Sequence, residues 1–140
     1  MKPIDQTIFG FPDGNCFAAC IASLLELPIE EVPINSGGDD WLPSTQAFLK
    51  TKGLFFLEIR LDVAVKYPLY ELFDVWCLYY GKSPRGNWSH SIVGKLDMDN
   101  GFPHFKYIHD PHPDKTYLEG EVKGIGFLVP LNPAINHQLI

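Results

Sequence analysis

Three residues whose types support nucleophilic catalysis lie far apart in the sequence: Cys16, His90 and Asp110. A cysteine nucleophile must become a thiolate, and it needs a base beside it and a group that orients the base. Cys16 stands at the predicted start of a helix, where free backbone N–H groups and the helix dipole favour a negative sulfur. Cysteine is also one of the residue types most often buried, so position alone leaves a core role for Cys16 equally open.

His90 and Asp110 are the candidates for the base and the orienting group. The segment between them contains Asn100-Gly101, a strong signal for a hairpin turn. Both residues are equidistant from position 100, so a hairpin centred there places them opposite each other, with Cβ atoms about 5 Å apart. A slip of one residue would put them on opposite faces. Taken singly, each is better explained as an ordinary strand or turn residue, and only the combination indicates a catalytic triad.

The elements that must position these residues begin with helices. Residues 16–26 are apolar almost all round, which predicts a buried helix, and Asn15 is a suitable N-cap. A short turn or helix is expected at 29–32 and a loop at 36–40. Residues 43–52 predict a second helix, closed by Gly53 at the C′ position.

Strands follow the helices. Runs rich in β-branched and aromatic residues predict strands at 54–59, 75–80 (ended by Gly81), 89–96, 105–109 and 126–131, whereas residues 66–73 fit either a short helix or a loop. Helices first and then an antiparallel sheet indicate an α+β fold. The length of 140 residues fits a single domain over residues 1–140.

The sequence resembles the papain-like cysteine peptidase superfamily. It resembles in particular the branch related to bacteriocin-processing, double-glycine peptidases, and it more closely resembles small uncharacterised proteins of that type in bacteria and their phages. The pieces that carry the resemblance are residues 14–25, Trp41, residues 83–86 with 89–94, and residues 109–113. Their order and spacing agree from about residue 5 to residue 130.

The resemblance implies a papain-like domain in which the helix carrying Cys16 packs on an antiparallel sheet. It implies that Cys16 is the nucleophile, that His90 is the general base and acid, and that Asp110 orients His90. The superfamily usually places an oxyanion-hole glutamine about six residues before the nucleophile, where this chain has Gly10. Gln6, ten residues before Cys16, is therefore one oxyanion candidate, and Asn15 is another.

Three further residues are candidates for the rim of the cleft. Trp88 is expected to cover the catalytic pair or simply to pack, Arg85 to line the mouth or lie in a solvated loop, and His112 to lie at the rim or be structural. Cys20, four residues after Cys16, and Cys77, in the middle of a predicted strand, are expected in the core.

Composition excludes several classes of function. Hydrophobic residues make up 46% of the chain, which is a globular composition. The net charge is −6 and the basic residues are scattered, so nucleic acid is not expected as a partner. The first residues lack the apolar region of a secretory signal, and no apolar run is long enough to span a membrane, which predicts a cytoplasmic location without membrane association. Metal and organic cofactors are not expected. Oligomeric state is not predicted.

Three functions therefore compete. The first is a peptidase or isopeptidase that acts on a peptide or protein through a thioester acyl-enzyme. The second uses the same site for deamidation, transglutamination or hydrolysis of a small amide. The third is a catalytically inactive papain-like module that binds peptides.

Overall fold

A computed structural model describes residues 1–35, 37–61, 74–99 and 102–134, with the side chains of residues 98, 99 and 102 excepted. Within these residues two α-helices pack on a five-stranded antiparallel sheet, which confirms the predicted α+β class. The predictions for Ser36, residues 66–73 and the Asn100-Gly101 turn lie outside the described residues. None of the described helices is long and apolar enough to cross a membrane.

Helix α1 spans Cys16–Leu25, and every residue from Phe17 to Ser23 is buried, as its apolar sequence predicts. Glu26 ends the helix in the left-handed region, with a φ of 57°. Asn15 does occupy the N-cap position, but its side chain makes no capping hydrogen bond. The prediction that Asn15 is the N-cap residue is therefore confirmed, without the side-chain hydrogen bond that often accompanies this position.

A 3-10 turn at Ile29–Glu31 follows, and then helix α2 spans Trp41–Lys50. The predicted start of α2 at Pro43 is wrong by two residues. Proline is tolerated throughout the first turn because the N–H groups there have no partner within the helix, so Pro43 does not mark the first position. Thr51 is the C-cap, and Gly53 lies two residues further on with a φ of 72°.

The sheet consists of β1 (Leu54–Arg60), β2 (Val75–Lys82), β3 (Ser89–Asp99), β4 (Phe102–His109) and β5 (Glu119–Pro130), in the order β1-β5-β2-β3-β4. All four strand pairs are antiparallel. Four predicted strand boundaries are wrong by two residues or more. Strand β2 continues through Gly81 to Lys82, β3 continues to Asp99 rather than ending at 96, and β4 begins at Phe102 rather than 105. Strand β5 begins at Glu119 rather than Gly126, and the stretch from Glu119 to Lys123 is mostly charged, with Val122 as its single apolar side chain.

Alternate residues of the central strand β2 belong to two separate hydrophobic clusters. Leu78 and Tyr80 pack with α1 in the first cluster, whereas Cys77 and Tyr79 belong to the second. Because successive side chains of a strand point to opposite faces, the two clusters lie on opposite faces of the sheet. Helix α1 contacts the sheet mainly at β3, the strand that carries His90.

Candidate active site

Cys16 is the first residue of α1, and its side chain is half-buried at the edge of a cavity of about 280 Å³. The turn that precedes Cys16 is tight, because the Gly14 N–H donates to the Gly10 carbonyl at 2.9 Å. A Cβ atom at position 14 would lie only 2.3 Å from that oxygen, so the turn needs glycine there. The local sequence thus places a thiol at the open end of an otherwise buried helix.

His90 and Asp110 form a buried hydrogen-bonded pair. The distance between His90 Nε2 and Asp110 Oδ1 is 2.7 Å, and the exposed fractions of the two residues are 2% and 0%. Cys16 lies close enough to His90 for its thiol to raise the pKa of the imidazole. Since Nε2 is engaged by Asp110, Nδ1 is the ring nitrogen left for the thiol. The structure therefore brings the three predicted residues together in the order thiol, imidazole, carboxylate.

The strand register that produces this contact differs from the predicted one. Strands β3 and β4 pair Asp99 with Phe102, one residue away from a register centred on position 100, and this slip alone would put His90 and Asp110 on opposite faces. The register then shifts by one more residue, since Gly94 pairs with Tyr107 and Val93 with His109. This bulge restores the shared face, with Asp110 diagonal to His90 rather than directly opposite.

Asp110 is held by the loop that follows β4. Its Oδ1 accepts from the His112 N–H at 2.9 Å, and its Oδ2 accepts from the Tyr117 N–H at 2.7 Å. Burial by itself raises the pKa of Asp110, but the hydrogen bonds with His90, His112 and Tyr117 outweigh it and lower the pKa below its ordinary value. The carboxylate is thus kept ionised beside the imidazole.

The same contacts determine the charge of His90. Burial lowers the pKa of this residue, but the hydrogen bonds with Asp110 and Cys16 and the negative charge of both outweigh burial and raise the pKa to about 9. At neutral pH the imidazole is therefore protonated and able to donate to the carboxylate and to a thiolate at the same time. Such an imidazolium stabilises a negative sulfur beside it.

Gln6 is buried close to the same loop. Its backbone N–H donates to the Pro111 carbonyl at 2.9 Å, and its side-chain Nε2 donates to the Ile8 carbonyl at 2.9 Å. Gln6 Oε1 has no hydrogen-bond partner among the described residues. The residue does not line the cavity at Cys16.

The second oxyanion candidate, Asn15, has its side chain committed to the same segment. Its Oδ1 accepts from the N–H groups of Thr7 and Ile8, both at 2.9 Å, and its Nδ2 donates to Thr7 Oγ1. In this structure both candidate side chains are engaged in other hydrogen bonds, so neither is available to bind an oxyanion. The Cys16 N–H, at the first helical position, has no acceptor within the helix and is a further donor close to the thiol.

Of the three rim candidates, Trp88 alone lines the cavity. Arg85 binds both carboxylate oxygens of Asp114 and the hydroxyl of Thr116, and thereby ties the 83–88 loop to the loop after Asp110. His112 accepts from the Asp114 N–H at its Nδ1 and packs edge-on against Phe9. Neither Arg85 nor His112 lines this cavity, and both support the loop that holds Asp110, which for His112 is the structural alternative.

The other cysteines lie in apolar surroundings. Cys20 is fully buried one turn after Cys16, and burial, followed by the negative charges of Cys16 and Asp110, raises the pKa of its thiol well above the ordinary value. Cys77 is also fully buried, in the second hydrophobic cluster. The prediction of core positions for both is confirmed. The described residues contain no group of three or more His, Cys, Asp or Glu arranged to hold a metal ion.

Sequence reasoning missed the walls of the cavity opposite Cys16. They include Glu58 on β1 and Tyr80 on β2, whose phenol donates to Glu58 Oε1 at 2.5 Å. A signal was present in the apolar segment 54–59, where Glu58 is the single charged residue and shares a strand face with Phe56, two positions earlier.

Comparisons of the chain with protein-family models, with curated proteins and with solved structures found no match. The class defined by fold and site is therefore an α+β protein with a Cys–His–Asp cluster at the start of a buried helix.

Proposed function

We propose that this protein is a cysteine hydrolase with a papain-like fold, and that it cleaves a peptide or isopeptide bond of a peptide or protein substrate. The observation that carries the proposal is the position of the His90 ring between the buried Asp110 carboxylate, at 2.7 Å, and the half-buried thiol of Cys16. A buried imidazole that lies between a carboxylate and a thiol is suited to general acid and base catalysis. A histidine with only a structural role would not require a neighbouring thiol that faces a cavity.

The first half of the reaction is acylation. The Cys16 thiolate attacks the carbonyl carbon of the amide, and the electron pair of the C=O bond moves to the oxygen. When the carbonyl re-forms, the C–N bond breaks, and the His90 imidazolium gives its proton to the leaving nitrogen. The acyl group is left on Cys16 as a thioester. Throughout this step Asp110 holds the ring in place and stabilises its positive charge.

The second half is hydrolysis of the thioester. Neutral His90 takes a proton from a water molecule as the water oxygen attacks the thioester carbonyl. The C–S bond then breaks, the carboxylic acid leaves, and the thiolate and imidazolium are restored. If an amine takes the place of water, the same site transfers the acyl group, and if the amide is that of a glutamine side chain, the first product is ammonia.

The test is hydrolysis of a diverse peptide mixture, with new N-termini measured by mass spectrometry and ammonia measured separately. We expect new N-termini with the wild type and none with Cys16→Ala. Asp110→Asn should lower the rate by roughly 10²-fold or more, since it leaves the general acid and base misplaced. The matched control is Cys77→Ala, which removes a thiol from the opposite face of the sheet and should retain activity.

Each other outcome has a definite meaning. Release of ammonia without new N-termini would replace peptide hydrolysis by deamidation at the same site. Equal behaviour of wild type and Cys16→Ala in both assays, together with a Cys16 thiol that no alkylating reagent labels in the native protein, would refute the enzyme and leave a peptide-binding module.

A further inference from the structure

The cavity at Cys16 contains one charged side chain among the described residues that line it, the carboxylate of Glu58. The walls around it are aromatic, and three of them, Phe17, Trp41 and Phe56, pack edge to face with ring centroids 5.5 to 6.4 Å apart. Phe11, Tyr80 and Trp88 are the other aromatic residues that line the cavity. An acid in aromatic surroundings is an arrangement that suits a cation, since the faces of such rings attract positive charge.

Tyr80 fixes the side chain of Glu58 in this position, although Tyr80 lies on β2, which does not pair with β1, the strand of Glu58. Strand β5 lies between β1 and β2, and the Tyr80 phenol crosses β5 to donate to Glu58 Oε1 at 2.5 Å. The crossing is possible because Tyr80 is paired with Gly124, where a Cβ atom would lie 2.1 Å from the Tyr80 ring. The contact therefore depends on a glycine in the middle of the sheet.

A second glycine makes room in the same way for the aromatic wall. Gly126 is the partner of Glu58 on β5, and a Cβ atom there would lie 2.3 Å from the ring of Phe56. The two rings thus lie over the glycines of β5 and bring an acid and two aromatic faces to one side of the sheet. This is a shaped site rather than a single acidic residue on an exposed strand.

The charge of Glu58 is not neutralised by a basic residue of the described chain. None of the ion pairs between described residues includes Glu58, and its recorded hydrogen bond comes from the uncharged phenol of Tyr80. A half-buried carboxylate that has no cationic partner among the described residues is suited to bind an ammonium or guanidinium group through charge-assisted hydrogen bonds. The net charge of −6 also attracts cationic substrates towards the protein.

We propose that Glu58 selects the substrate, and that this cavity takes a lysine or arginine side chain on the acyl side of the cleaved bond. The inference rests on the proposed function, because it assigns a specificity to the thioester chemistry of Cys16. The residue that carries the attacked carbonyl is held covalently at Cys16, so the side chains on this side of the bond lie nearest to the walls that Cys16 and Glu58 share.

The experiment uses tripeptidyl chloromethyl ketones, which place a peptide on the acyl side of a thiol-reactive carbon. One set carries lysine at each of the three positions in turn, with matched probes in which norleucine or glutamate replaces the lysine. The rate of Cys16 alkylation is measured by mass spectrometry. We expect one lysine probe to react at least about tenfold faster than its norleucine match, and the glutamate probe to react slowest.

Glu58→Gln keeps the size of the side chain and an acceptor for the Tyr80 phenol. It should abolish the preference for lysine, measured as the ratio of the lysine rate to the norleucine rate within the same variant, and Glu58→Lys should reverse the preference in favour of glutamate. The matched control is Glu121→Gln on the exposed part of β5, which does not line the cavity and should keep the wild-type preference. Thermal unfolding of each variant shows whether it is folded.

The outcomes separate the two proposals. Equal rates for lysine and norleucine probes at all three positions, or an unchanged preference in folded Glu58→Gln, would overturn the specificity while leaving the cysteine hydrolase standing. Failure of every probe to alkylate Cys16 faster than it alkylates a free thiol would instead count against the hydrolase itself.

Discussion

Two cysteines of this protein stand in opposite environments. Cys16 is half-buried at the start of α1, where it raises the pKa of His90 and opens into the cavity. Cys77 is fully buried in the middle of β2, on the face of the sheet away from α1, and its neighbour on that face is Tyr79. Burial raises the pKa of the Cys77 thiol to about 12, although a hydrogen bond with Tyr79 partly opposes it.

The difference lies in the partner of each thiol. A protonated imidazole favours the thiolate, whereas a phenol in apolar surroundings gives a hydrogen bond but no charge. Tyr79 is itself buried, and burial raises its pKa well above the ordinary value, so the Cys77–Tyr79 pair stays neutral. One residue type thus gives a candidate nucleophile at one site and an inert core residue at the other.

The largest effect that tests this comparison is the rate of alkylation by iodoacetamide, measured for each cysteine by mass spectrometry near pH 7. In the native protein we expect Cys16 to react at least about 10³-fold faster than Cys77, because Cys77 is exposed only when the protein unfolds, a state populated at roughly 10⁻³ or less. In denaturant the thiols should react at similar rates. Fast labelling of Cys77 under native conditions would contradict the expected difference in reactivity between the two thiols.

The elements that carry or flank the two cysteines differ in how well the sequence predicts them. Residues 16–26 predict α1 because an apolar helix with no polar face is buried wherever it packs, and the structure confirms the burial of Phe17 to Ser23. Strand β5 was predicted only in part, because Val122 is the single apolar side chain from Glu119 to Lys123 and the other four residues are exposed, so the stretch carries no alternating apolar pattern.

The contact of His90 and Asp110 was predicted with the wrong register. Neither the slip at Asp99 and Phe102 nor the compensating bulge before His109 leaves a mark in the sequence, because both depend on how β3 and β4 pack within the whole sheet. Glu58 was missed for a related reason. Its importance arises from Tyr80, which reaches it across an intervening strand, and such a contact depends on strand order.

A second test of the comparison is the pH dependence of stability. The pKa of His90 is about 9 in the folded protein and near 6.5 when unfolded, so between these values the folded state binds a proton that the unfolded state does not. The stabilisation is complete below pH 6.5 and lost as pH rises through 9. It amounts to up to about 3 kcal/mol. Urea unfolding in reducing buffer at several pH values measures it.

The control for this measurement is His90→Gln, which keeps a donor for Asp110 but cannot be protonated. The difference in free energy of unfolding between wild type and this variant should shrink by most of that amount as pH rises through the window. Cys77→Ala should show the same pH dependence as the wild type, because its thiol stays neutral throughout. A difference that does not change with pH would mean that His90 is not charged beside Cys16.

The smallest expected effect comes from a substitution of Tyr79, the partner of the Cys77 thiol. Tyr79→Phe removes a buried hydroxyl that donates to the Lys95 carbonyl at 2.8 Å and contacts Cys77, and we expect a loss of about 1 kcal/mol in the free energy of unfolding. The aromatic ring itself keeps its place above Gly94.

Cys16 alkylation should be unchanged in Tyr79→Phe. Because Cys77 reacts only from the unfolded state, its alkylation should accelerate by about fivefold, in proportion to the lost stability. Acceleration well beyond that proportion would show that Cys77 becomes exposed by local opening, so that hydrogen bonding by Tyr79, and not burial alone, protects the thiol.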